Sequence, residues 1–134
     1  AQALKLPGLQ QELGDAISAF YNASEELGIA EQVTTFTAAD FGRTLTANGD
    51  GTDHGWGGHH FVVGGAVNGG DIYGDIPSPQ LGHSQDAGNG RLIPTSSVEQ
   101  FAAPLGRWFG LNDTELNMAL PGLVNFPSGA MAFI

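Results

Sequence analysis

The chain has 134 residues, 41% of them hydrophobic, no cysteine and a formal net charge of −10. That length suits one ordinary domain with a single core, and the lack of cysteine excludes a disulfide scaffold, a Cys-ligated zinc site and a thiol nucleophile. Four cations against fourteen carboxylates exclude a nucleic-acid partner and an anionic membrane surface, which would both repel the chain, and no apolar run is long enough for membrane insertion.

Pro7-Gly8 opens an amphipathic segment in which Leu9, Leu13, Ile17, Phe20 and Leu27 fall at helical spacings. Pro7 suits a helix start and Gly28 a helix stop. Val33-Thr34-Thr35-Phe36-Thr37 is β-branched and aromatic and reads as a strand. From Ala38 to His60 the periodicity fails, and six glycines mark a loop of over twenty residues, a length that is uncommon in compact domains unless functional. Phe61-Val62-Val63 reads as a strand that Ala66-Val67 extends, with Asn68-Gly69-Gly70 turning it into a hairpin with Ile72-Tyr73. Ile76 to Gly90 reads as a surface loop. Ser96 and Glu99 form a capping-box signature for a helix that buries Val98, Phe101, Leu105 and Trp108-Phe109, is interrupted by Pro104 and closes at Gly110. Asp113 caps a further short helix that stops at Pro121-Gly122. The apolar tail, Leu123 to Ile134, calls for a partner surface inside or outside the chain. A helix followed by a strand in this way predicts an α/β layer architecture with few strands and about three helices. Ala1 is not a Met, so an upstream segment is expected to have been removed.

The Gly-rich stretch N-G-D-G-T-D-H-G-W-G-G-H-H, Asn48 to His60, carries the chemistry-bearing residues. Asp50, Asp53, His54, His59 and His60 offer carboxylate and imidazole donors that suit zinc, manganese or iron. Against this stands the plain reading of the stretch as a turn with hydrogen-bonded histidines. Alternation of Asn48, Asp50 and Thr52 suggests calcium, but Asp53 and His59 stand where an EF-hand needs Gly and Glu. Trp56 reads as a pin holding the loop to a core rather than a stacking platform. His83-Ser84 with Asp86 reads as a solvated loop rather than a triad. Gly64-Gly65 and Gly69-Gly70 open no helix and therefore no phosphate cradle.

V-T-T-F-T-A-A-D-F-G-R-T, the loop extended through F-V-V-G-G, G-R-L-I-P-T-S-S-V-E-Q-F-A and R-W-F-G closely resemble the exported bacterial proteins of the domain-of-unknown-function 1501 family. Members of that family are several hundred residues long, and the chain resembles their C-terminal third. The family looks distantly similar to the alkaline phosphatase and sulfatase superfamily, in which a strand ends in a T-x-D-H-G motif whose Asp and His bind a metal. The resemblance implies the C-terminal portion of an alkaline-phosphatase-like α/β/α sandwich and an exported location. It makes Asp40 the metal Asp and puts Phe41 where the motif has His. It makes His54, in Thr52-Asp53-His54, a metal His. Our inference adds His59 or His60 as a replacement for the missing ligand and Asp53 as a further candidate, with zinc, manganese or calcium as the metal. Arg43 becomes the contact for an anionic ester. The superfamily's nucleophile lies in an N-terminal half that these residues do not contain, so the expected partners are the N-terminal part of the same precursor or identical subunits.

Two functions follow as expectations. One is part of a metal-dependent phosphate- or sulfate-ester hydrolase with an incomplete site. The other is a non-catalytic cell-surface or filament-forming protein that self-assembles on the same fold.

Overall fold

A computed structural model describes residues 2–127 and 131–134; Ala1 and the part of the expected apolar tail at 128–130 lie outside the described residues. Three helices and two small antiparallel sheets make a mixed α/β chain. It divides into two compact units, Ala1–Val67 with Pro77–Pro94 and Asn68–Ile76 with Thr95–Ile134.

The first unit begins with helix α1, Gln2–Glu26. The helix starts ahead of Pro7 instead of at it. Leu4, Lys5 and Leu6 are strong helix formers, and a proline this close to the end removes only one early hydrogen bond. Gly28 ends the helix as expected. It takes φ of 69°, and the Ile29 N–H donates to Ser24 O while the Gly28 N–H donates to Glu25 O, the paired bonds of a Schellman stop. Strand β1, Thr34–Phe36, falls inside the expected strand. It pairs antiparallel with β4, Val62–Gly64, with Phe36 opposite Val62 and Thr34 opposite Gly64. The expected hairpin from Phe61 to Tyr73 is therefore not formed. Val67 N turns back to Gly64 O and Gly65 N reaches Ala30 O, so the chain leaves the sheet where Ala66-Val67 was expected to prolong it.

The stretch expected to be an unstructured loop contains a hairpin, with β2 at Gly42–Ala47 and β3 at Thr52–Gly55. The strand signal is inverted here. Thr44 is buried and Thr46 half-buried, while Arg43, Leu45 and Ala47 face out, so an apolar alternation search finds nothing. Arg43 stands opposite His54 and Ala47 opposite Thr52, with a bulge between. In that bulge the Thr44 hydroxyl accepts the Asp53 N–H at 3.0 Å and donates to Thr46 O at 2.9 Å. A side chain thus replaces the backbone partner that the extra residues displace.

The 77–94 segment is irregular, as expected, with one bridge between Asp86 and Leu92. It borders the hairpin, since Leu45 N donates to Gly90 O and Gly57 N to Leu92 O. The described residues of this unit that are buried and carry polar side chains are Ser24 and Thr44, while Ile17, Val33, Val62, Val63 and Leu92 are half-buried.

The second unit has the buried apolar side chains: Ala103, Leu116 and Phe133. Helix α2, Val98–Trp108, is capped by Ser97, one residue after the expected Ser96, with Gln100 rather than Glu99 as its reciprocal partner. Helix α2 runs on through Pro104 to Trp108, and Gly110 closes it at φ 110°. Helix α3, Asp113–Ala119, is capped by Asn112, with Glu115 completing the box, so Asp113 is its first residue and not its cap. Pro121 starts a 3-10 turn, Pro121–Asn125. The described end of the tail packs inside the unit, while Val124 stays exposed. Phe133 is 2% exposed, its carbonyl accepts Asn68 N, and its ring lies against Tyr73 and Phe101.

Candidate functional site

The β2–β3 hairpin carries or borders the residues singled out in the sequence. Asn48-Gly49-Asp50-Gly51 is its turn. Asn48 N donates to Gly51 O, Gly51 N donates to the Asn48 side chain, and Gly49 takes φ of 97°. Asn48 and Asp50 therefore build a turn, and Asn48 Nδ2 also holds Asp53 Oδ1 at 2.7 Å.

Directly opposed residues in an antiparallel pair share a face, which puts Arg43 beside His54. Phe41 lies on the same face. Its ring stacks on the His54 imidazole at 3.7 Å between centroids and 17° between planes, and the Arg43 guanidinium carbon is 5.3 Å from the Phe41 centroid. Arg43 Nη1 donates to Thr52 O at 2.9 Å, which ties the fork to the strand opposite. The result is an exposed cationic and aromatic face whose three side chains brace one another.

Asp53 precedes His54 on the strand, and successive side chains leave opposite faces. It points toward Arg91, with Oδ2 3.8 Å from Nη2. Two of the four cations of the chain, Arg43 and Arg91, are thus at this hairpin, one on each side. Asp40 is exposed on the bend before Phe41, two residues ahead of β2. His60 lies two residues ahead of β4. Its Nδ1 is 3.3 Å from Thr37 Oγ1, which accepts Phe61 N at 2.9 Å. His59 is exposed between the two sheets.

Among the described residues no three His, Asp or Glu side chains converge to hold a metal ion. The donor set within these residues does not fit a metal centre unaided, because Asp53 and His54 leave opposite faces of β3 and His60 Nδ1 lies against Thr37. Trp56 is 64% exposed and pins nothing to a core. In the 77–94 segment Asp86 accepts N–H bonds from Gly82, Gly88 and Gly90 at 2.8–2.9 Å. His83 Nδ1 accepts Gln85 N. The carboxylate is thus committed to the backbone and not to a relay, which argues against a triad, but His83 and Asp86 are half-buried rather than solvated.

Residues that position this site and were not singled out in the sequence are Thr44, Thr37 and Arg91. Asn48 was singled out there as a cation ligand, whereas the structure uses it to build the turn.

No curated protein and no solved structure matches the chain. The model of one family, described as protein of unknown function (DUF1501), matches residues 2–123. That span takes in α1, both sheets, the hairpin face and the first two helices of the second unit, and the chain belongs to the DUF1501 family.

Proposed function

We propose that the hairpin face is one wall of an anionic-ester site. On this reading the chain is part of an exported bacterial protein of the metal-dependent phosphate- or sulfate-ester hydrolase class, distantly similar to alkaline phosphatases and sulfatases. The site is incomplete within these 134 residues. The supporting observation is the placement of Arg43 across from His54 on one exposed face. A guanidinium matches the oxygens of a phosphate or sulfate group in a planar, paired geometry. Phe41 covers one side of the His54 ring and leaves the nitrogens at the ring edge. Asp40 and His54 are the donors this wall would contribute to a metal set, with His59 or His60 as the further candidates and zinc, manganese or calcium as the metal class. The ligands that complete the set lie elsewhere.

Titration of the isotope-labelled chain with inorganic phosphate and with sulfate at constant ionic strength tests the wall. The Arg43 side-chain and His54 ring resonances are expected to move together. R43A is expected to weaken that response by about tenfold or more, the loss of one charge-assisted contact. Resonances that stay still with both anions overturn the reading.

A non-catalytic surface or filament subunit on the same fold is favoured by a different observation, the exposed apolar positions along α1. Turnover of a phosphate or sulfate ester by the native protein rejects it.

A further inference from the structure

Helix α1 turns only one side to its own unit. Ser24 is 5% exposed, Ile17 and Tyr21 are half-buried, and every other position from Leu4 to Glu26 is exposed. Beside that side runs a second line: Leu6, Leu9, Leu13, Ala16, Phe20 and Ala23 alternate three and four apart without a break. Strict alternation of this kind is a narrow coiled-coil seam, distinct from the wider stripe of a helix lying on a sheet. Pro7, Gly8 and Gly14 all fall off it. Phe20 is 53% exposed and Leu9 58% exposed, so the seam is open to a partner.

We propose that the partner is a second copy of this chain, with the two α1 helices paired antiparallel about a twofold axis. The pattern is complementary to its own reverse. With the helices opposed, Leu6 faces Ala23 of the second copy, Leu9 faces Phe20 and Leu13 faces Ala16, and the twofold repeats each layer. Large side chains thus meet small ones at four of six layers, which suits interdigitated packing. The same register sets Lys5, the only cation of α1, against Glu26 of the second copy, once at each end. A parallel pairing offers neither match: it stacks Phe20 on Phe20, Ala16 on Ala16 and Ala23 on Ala23, and leaves Lys5 away from Glu26. A twofold interface uses one patch twice, which is what a self-complementary seam provides. This inference stands independently of the ester site, whose residues lie on the hairpin.

Sedimentation and light scattering of the full chain across a wide concentration range test it. The expected result is a concentration-dependent dimer of twice the 13.9 kDa monomer mass, lost in L9A/F20A. K5E and E26K are each expected to weaken the dimer by up to about tenfold through two reversed surface pairs. The double swap K5E/E26K is expected to restore it, and that rescue does not depend on how α1 tolerates a core substitution. A chain that stays monomeric overturns the proposal. So does a dimer indifferent to the seam and swap variants, an open filament, or association with another segment or protein alone.

Discussion

Asp86 shows how much one side chain can organise where regular structure is missing. Its two oxygens gather three backbone N–H groups from a segment whose Gly82, Gly88, Asn89 and Gly90 all take positive φ. The Gly82 N–H bond, with those from Gly88 and Gly90 and the charge of His83, holds the carboxyl below the ordinary carboxylate value, against opposition from partial desolvation. A lowered folded value means that the contribution to stability is present above the ordinary value, near pH 4, and is lost as pH falls through the folded value. D86N is therefore expected to be less stable than the parent at neutral pH, with the difference vanishing in strong acid. Unfolding curves from pH 2 to 7 check this, and parallel curves at every pH contradict it. At the candidate site the residue scale was partly legible. Arg43 and His54 stood out by chemical type, but their pairing needed the register of a hairpin whose inward residues are threonines. Asp53 stood out equally, and only the alternation of the strand shows it turned away from His54.

At the scale of elements, local capping chemistry sets the starts of α2 and α3 to within a residue, and competition between frames decides that residue. Ser96 with Glu99 and Ser97 with Gln100 are both plausible boxes. The second forms, with Ser97 Oγ accepting Gln100 N at 3.1 Å and Ser97 N donating to Gln100 Oε1 at 3.0 Å. Glu99 lies instead against Gly122, where an added Cβ would collide with its carboxylate. S97A is therefore expected to cost about 1 kcal/mol, while S96A stays within about 0.5 kcal/mol. Denaturant titration of both variants separates them, and equal losses refute the assignment. The same competition moved the α3 cap from Asp113 to Asn112, because Asn112 has a Glu three residues on whereas Asp113 has Leu116. Strand partners were less legible than helix ends. β4 reaches back to β1 across the whole hairpin instead of forward to Tyr73. Tyr73 is committed elsewhere, with its hydroxyl donating to Asn68 O and its ring against Phe133.

Across the whole molecule the two units differ in which side chains they bury completely. The second has a packed centre of Ala103, Leu116 and Phe133, whereas the buried polar side chains among the described residues, Ser24 and Thr44, belong to the first. Each unit holds one tryptophan, Trp56 in the first and Trp108 in the second, so each can be followed separately. F133A is expected to cost about 3–5 kcal/mol, the usual range for a buried phenylalanine. Fluorescence in W56F and W108F backgrounds should show the loss chiefly in the Trp108 transition, and an equal shift at Trp56 would mean that the units unfold together. By itself the sequence determined the helices, the caps to within a residue, the mixed α/β class, the acidic surface and the residues with chemical potential, because these depend on neighbours a few positions apart. Only the tertiary structure decided that the glycine-rich stretch is a hairpin and that β1 pairs with β4. It alone placed His54 beside Arg43 and away from Asp53. Those outcomes depend on register and on hydroxyls serving as backbone partners, neither of which leaves an apolar period in the chain.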